Sequence, residues 1–166
     1  MKQYKLVCYD FIINKKYSNV FSDVVDKKKD LEVYLDKEKK YCEIIFGIIS
    51  VHDSYYIDLE YIYCEGNVFN ESYSKEELSI IEEILKKKED SKFLVIGNEI
   101  LTYIKLILRE EISAQILNSK NDEVLFGYIS DFESLVYSDG ITGQQIEEIN
   151  KKGFIIEEFY FSFDFE

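Results

Sequence analysis

Two runs decide the fold reading: YCEIIFGIIS (Tyr41–Ser50) and SYYIDLEYIYC (Ser54–Cys64), parted only by Val51-His52-Asp53. Both are rich in β-branched and aromatic residues. The second also alternates apolar with polar side chains, the period-2 pattern of a strand with one face in a core. With a three-residue connection they are read together as a β-hairpin. Ile112–Leu117 and Glu123–Ile129 form a second hairpin, turning over Asn118–Asp122. Gln3–Tyr9, Glu32–Leu35, Lys92–Ile96 and Phe154–Phe163 read as single strands, the last of them aromatic.

Between these runs the period changes to that of a helix. Ser74 with Glu77 three residues on makes a capping box ahead of Leu78, Ile81 and Leu85, and Lys86–Lys88 suit the negative end of the helix dipole. Asn98 is read as the cap of a helix with Ile100, Tyr103, Ile104, Ile107 and Leu108 inward. Ile141–Lys152 is another helix, with Gly153 as the residue that leaves it. Ser18-Asn19 opens a further one with Val20, Phe21, Val24 and Val25 on one face, closed by Lys27–Lys29. Asn67–Ser72 reads as a loop, and no stretch has the composition of a linker. The expectation is one α+β domain over residues 1–166: a mostly antiparallel or mixed sheet of six to eight strands, with three or four helices packed on it.

Glu43–Ser50 (EIIFGIIS) recurs 80 residues later as Glu123–Ser130 (EVLFGYIS), with five of eight positions identical. Duplication of a half-domain, about 1–87 and 88–166, is one reading; the other is that strands draw on few residue types. Under either, the glycine in each run marks a bulge or a close backbone approach within a strand.

A chain of 166 residues, 46% hydrophobic and 32% charged, is long enough to bury roughly 70% of its unfolded surface. Its 33 acidic side chains outweigh 20 basic ones, for a formal charge of -13. That balance opposes binding to nucleic acid, which needs a cationic surface. The acidity lies late in the chain: Asp122–Glu166 carries eleven acids against two lysines. Nineteen of the basic residues are lysine and the single arginine is Arg109, so two-point grips on phosphate have little to work with. Proline and tryptophan are absent while Lys, Ile, Asn, Tyr and Phe abound, the residue usage of a gene of low GC content. No secretory leader or apolar membrane-spanning run is read, and Cys8, Cys42 and Cys64 are odd in number and scattered. The expectation is a cytoplasmic protein with reduced, mostly buried thiols and no membrane partner.

Catalytic signatures are sparse. His52 is the only histidine and sits at the turn beside Asp53, so no Ser-His-Asp or Cys-His system is assigned. One histidine and three dispersed cysteines make no zinc site. No phosphate-binding glycine motif is present; Gly140-x-x-Gly143 reads as a helix entry turn. Acidic D-x-E pairs occur at Asp30/Glu32, Asp36/Glu38, Asp58/Glu60, Asp131/Glu133 and Asp164/Glu166. On a strand the members of such a pair share a face, which would suit a divalent metal or an acid/base couple. Solvated faces explain them more simply. No catalytic residue, metal site or cofactor is therefore assigned. Tyr55-Tyr56, Tyr61, Tyr63, Phe159-Tyr160-Phe161, Phe163 and Phe165 place aromatics on both faces of their strands. Either helices cover both sheet faces, or some tyrosines lie on a protein-binding surface.

Small size, strong acidity, A/T-biased composition and an aromatic, strand-rich surface together resemble the immunity proteins that bacteria make against their own polymorphic or contact-dependent growth-inhibition toxins. The resemblance is one of general character over the whole chain. It implies a non-enzymatic inhibitor that binds one cognate toxin domain, often a basic nuclease, and blocks its active site or groove; some members do so by accepting a strand or hairpin onto their sheet. The expected contact residues are the carboxylates Asp122, Glu123, Asp131, Glu133, Asp139, Glu157 and Glu158, with Tyr128 and Tyr137 as anchors. Alternatives are a small metal-dependent hydrolase built on a D-x-E pair and a DNA-mimic inhibitor from a mobile element.

Overall fold

In the computed structural model, which describes residues 1–9, 27–63, 73–130 and 132–159, twenty-two consecutive residues from Lys28 form the first of the described helices. The chain runs β1 (Lys2–Cys8), α1 (Lys28–Ile49), β2 (Ser54–Ile62), α2 (Lys75–Ile84), β3 (Ser91–Ile96), α3 (Ile100–Leu108), β4 (Ile112–Asn118), β5 (Val124–Ser130), β6 (Glu133–Ser138), α4 (Gly143–Lys151) and β7 (Phe154–Glu158). The strands make one open sheet in the order β3-β2-β4-β5-β6-β1-β7, and every pairing is antiparallel. The architecture is thus the expected single α+β domain, with seven strands and, among the described residues, four helices.

The first of the two deciding runs is not a strand. Tyr41–Ile49 is the second half of α1, and Glu32–Leu35 belongs to its first half, so the expected hairpin with β2 is a helix–turn–strand instead. The reason lies upstream of the apolar run. Tyr34, Glu38, Tyr41, Ile45 and Ile48 are all buried and recur every three or four residues, the spacing of one helix face, and the charged stretch Asp36–Lys40 favours helix over strand. A window opened at Tyr41 sees only the continuous apolar end of that pattern. EIIFGIIS and EVLFGYIS accordingly adopt different structures: the first is helical in α1, the second runs through β5. Gly47 lies in α1 rather than at a strand bulge, while Gly127 lies between two register irregularities of β5.

Smaller corrections follow local chemistry. Asn98 sits in a short 3₁₀ turn, Gly97–Glu99, and makes no side-chain cap for α3; the five inward residues expected there are all buried. α4 starts at Gly143, capped by the reciprocal Thr142–Gln145 pair, two residues later than expected. The Ser74–Glu77 capping box is present as read, with Ser74 Oγ accepting from the Glu77 N–H at 3.2 Å. Gly153 leaves α4 with φ +87, a conformation open to glycine at little cost. Glu133–Ser138, not recognised as a strand, pairs with both β1 and β5. The helix read after Ser18, the Asn67–Ser72 loop, Cys64 and the chain beyond Phe159 lie outside the described residues.

The four helices among the described residues attach to one face of the sheet. α1 packs on α3 and on β5 and β6, and α3 packs on β4 and β5. Lys105 Nζ joins α3 to Glu77 of α2 at 2.7 Å, and Lys152 after α4 lies 3.6 Å from Glu43 of α1. Buried between the layers are Leu6, Cys8, Ile57, Leu59, Ile116, Phe126, Val136 and Ile156, each large side chain stabilising the fold by about 1.5–3 kcal/mol. Cys8 and Cys42 are free, buried thiols. Phe132, with a left-handed φ of +61 in the turn between β5 and β6, is held edge-on by Tyr34 at 5.2 Å and Tyr41 at 5.4 Å. A bulky side chain in that region is strained, and the aromatic packing offsets the strain.

The intervening residues face away from the helices and keep part of their surface in solvent: Gln3 and Lys5 on β1, Tyr56 and Asp58 on β2, Ser113 and Gln115 on β4, Glu133 and Tyr137 on β6, and Ile155 and Glu157 on β7. Of the two arrangements the aromatic pattern allowed, helices on both faces or tyrosines exposed on one, the second holds among the described residues. No described helix is long and apolar enough to cross a membrane.

Candidate functional site

A bulge in β2 shapes the most distinctive part of the open face. Asp58 pairs with Gln115, Leu59 with Ala114 and Tyr61 with Ser113, so Glu60 is the extra residue. Gln115 and Ser113, two apart on β4, share a face, and their partners Asp58 and Tyr61 must therefore share it too. The insertion resets the alternation: Asp58 and the inserted Glu60, then Tyr61 and Tyr63 beyond it, all point away from the helices. Tyr61 is 55% exposed and Tyr63 60%, and their rings lie 6.2 Å apart at 33°. Glu60 Oε2 accepts a 2.8 Å hydrogen bond from Ser113 Oγ. The result is an exposed acidic and aromatic corner, with two stiff anchor-type side chains.

Beside it the sheet opens. β4 and β5 pair from Leu117–Val124 to Gln115–Gly127 and no further, while β5 goes on to pair with β6 as far as Ser130–Glu133. The gap is a cleft of about 500 Å³ between Ile112–Ala114 on one side and Tyr128 and the exposed Ile129 on the other, with Tyr63 and Glu110 at its mouth. Tyr128 Oη donates to the Leu108 carbonyl at 3.5 Å and accepts from the Phe132 N–H at 3.3 Å, which fixes its ring as a wall.

The eight expected contact residues that are described do not form one surface. Asp122 and Glu123 lie in the β4–β5 turn; Asp122 pairs with Lys92 at 2.7 Å, and Glu123 accepts from Asn121 Nδ2 at 2.7 Å. Asp139 is at the same end of the sheet, 3.9 Å from the terminal amine. Glu133, Tyr137 and Glu157 are on the open face around β1. Glu133 pairs with Lys5 at 2.6 Å, and Tyr137, half-buried with its hydroxyl pKa pushed up by that burial, accepts from Gln3 Nε2 at 3.1 Å. Glu158 points to the helix side and pairs with Lys2 at 3.0 Å. Tyr128 lines the cleft, and Asp131 lies outside the described residues.

The D-x-E pairs separate in the same way. Asp30/Glu32 and Asp36/Glu38 fall in α1, where residues two apart point to opposite sides. Among the described residues only Asp58/Glu60 share an open strand face. Among the described residues no three His, Cys, Asp or Glu side chains come close enough to hold a metal ion. A second hollow of about 460 Å³ lies between α1, α2 and α3, lined by Glu38, Cys42, Glu77 and Lys105. Glu38 is engaged by Arg109 and Glu77 by Lys105, and burial pushes the Cys42 thiol well up, away from a reactive thiolate.

The aromatic count pointed to Tyr61 and Tyr63, but nothing marked Glu60 as a bulge, and the cleft arises where β4 and β5 diverge beyond the Gln115–Gly127 pair. Compared with protein families, curated proteins and solved structures, the chain matches no family model, no curated protein and no solved structure.

Proposed function

We propose that the protein is a cytoplasmic inhibitor of the immunity type, which binds a basic, nuclease-like toxin domain and blocks it by occupying its active site or groove. The observation that carries this reading is the β2 bulge, which turns Asp58, Glu60, Tyr61 and Tyr63 onto one uncovered sheet face. Carboxylates there would steer a cationic partner, and the net charge of -13 adds the long-range field that raises association rates by ~10–10³. The two tyrosines supply the apolar area that charges alone cannot, at little cost in side-chain entropy. In this reading the proposed contact surface is this corner, with the carboxylates of the β4–β5 turn adding to the long-range field.

The test is co-purification. The product of the reading frame next to this gene, expressed as its C-terminal domain, is expected to form a complex that weakens as salt rises and to lose its toxicity in cells making this protein. A neighbouring gene of ordinary metabolism, or a toxin domain that neither binds nor is neutralised, overturns the reading.

A further inference from the structure

Glu110 occupies a position where the backbone favours another residue. It follows the last turn of α3 with φ +58; its N–H donates to the Ile107 carbonyl at 3.0 Å, and the next N–H, of Glu111, to the Leu106 carbonyl at 2.9 Å. This is the paired closure of a helix end whose left-handed residue is ordinarily glycine, because a Cβ there is strained. A glutamate costs stability at this place. What it provides instead is an exposed carboxylate at the mouth of the β4–β5 cleft, while its neighbours Arg109 and Glu111 are buried.

The rest of the cleft has a matching character. Its described lining holds no lysine or arginine; the floor is Ile107, Ile112 and Ala114, and Tyr63 presents an aromatic wall. The Tyr63 N–H donates to the Glu111 carbonyl at 2.8 Å, which fixes the alternation along β4: Ser113 bonds toward β2, and Ile112 and Ala114 turn their N–H and C=O toward the side where β5 has departed. An apolar floor, an aromatic wall, a carboxylate at the mouth and outward-facing strand backbone suit a long cationic side chain carried on extended peptide.

Building on the inhibitor reading above, we propose that this cleft seats an arginine side chain on an extended segment of the basic partner. Its stem would lie on Ile112, Ala114 and Ile129, and its guanidinium would sit between the Glu110 carboxylate and the Tyr63 ring. The volume, about 500 Å³, leaves room for the residues flanking the arginine. The peptide backbone is part of the recognition because Ile112 and Ala114 offer it partners that free arginine cannot use.

The test uses the full chain, labelled with ¹⁵N, and a blocked pentapeptide with arginine at its centre between valine and threonine residues. The amides of Tyr63, Ser113 and Ile129 are expected to shift saturably with this peptide, and not with the same peptide carrying glutamate at the centre. L-Argininamide should bind at least about tenfold more weakly. Glu110→Gly should fold with an unchanged or higher melting temperature, since it relieves the strained position, yet weaken the peptide about tenfold or more. Shifts elsewhere, none at all, equal binding of L-argininamide, or full affinity in Glu110→Gly each overturn the proposal. A toxin domain that binds wild type and Glu110→Gly alike would overturn this site while leaving the inhibitor reading standing. Failure of any toxin domain to bind would strike that reading instead.

Discussion

Arg109 and Glu38, 71 residues apart in sequence, meet in a buried two-point ion pair: Nε lies 2.5 Å from Oε1, and Nη2 lies 2.8 Å from Oε2. The pair ties the middle of α1 to the end of α3. The Tyr73 ring covers the guanidinium at 4.6 Å, and Tyr73 Oη donates to Glu111 at 3.5 Å, so α2's leading segment joins the same network. The chain's single guanidinium therefore works inside the fold rather than on a ligand.

Removing one member of this pair takes from a buried charge its two-point partner, which costs about 3–5 kcal/mol, whereas an apolar replacement of both is far milder. Glu38→Gln and Arg109→Met are each expected to lower the urea midpoint sharply. The double variant Glu38→Leu/Arg109→Met should recover most of the loss. Single variants that lose under about 1 kcal/mol would mean that water reaches the pair after all.

Glu111 gives a pH signature. Burial pushes its carboxyl pKa up, against the lowering pull of Arg109 and the Tyr73 hydroxyl. The folded protein then holds this proton more tightly than the unfolded chain does. The site's contribution to stability is complete below the ordinary carboxylate pKa and is lost as pH rises through the raised folded value. Glu111→Gln keeps an acceptor for Tyr73 and never ionises. It is expected to melt higher than wild type at pH 7, with the difference vanishing in acid where both side chains are neutral. A glutamine variant that melts lower at pH 7 would show that attraction to Arg109 outweighs desolvation.

The inhibitor reading proposed for the Tyr61–Tyr63 corner predicts a division of labour in toxin binding. Tyr61→Ala and Tyr63→Ala should each cost about 2 kcal/mol or more, mainly through faster dissociation. Asp58→Lys with Glu60→Lys should chiefly slow association and flatten its salt dependence. Charge reversal at Asp122, Glu123 and Asp139, at the far turn of the sheet, should leave dissociation unchanged. Surface plasmon resonance at two salt concentrations separates these outcomes, and a larger effect from the far-turn set would move the interface there. All of these side chains are exposed, so thermal stability should stay within about 0.5 kcal/mol of wild type.

How far the fold was legible follows from where the pattern information resides. β2, the β4–β5 hairpin and the boxed start of α2 were readable because alternation and capping are local. α1 was not, because its deciding signal is the recurrence from Tyr34 to Ile48 and its most apolar part, taken alone, satisfies a buried strand equally well. EIIFGIIS and EVLFGYIS make the point in eight residues: tertiary context overrides propensity when a run is apolar throughout. β6 was missed because Glu133–Ser138 is short and mixed in polarity, and its partners lie on both sides at different sequence distances. The site was legible only in composition. Carboxylates and tyrosines made a binding surface an expectation, but their gathering at one corner depends on one bulge and on the divergence of β4 from β5.

The sheet's outer strand offers a last test. The Gly97 N–H donates to the Asp53 carbonyl at 3.1 Å, in register with the Tyr55–Val95 and Ile57–Phe93 pairs, so these residues bond toward β2. Lys92, Leu94 and Ile96 then turn their N–H and C=O outward, and among the described residues β3 has no strand beyond it. Leu94 and Ile96 are also 52% and 63% exposed on the open face, which joins an unpaired edge to an apolar surface. Such an edge invites pairing between chains, and only Lys92 stands against it. Leu94→Lys and Ile96→Lys should therefore raise the concentration at which light scattering first appears, with little change in the unfolding midpoint because neither side chain is in the core. Toxin binding should be unaffected, since the Tyr61–Tyr63 corner belongs to the opposite side of β2, toward β4. If the lysine variants scatter like wild type, the edge is already covered in solution, and the residues covering it become the next ones to find.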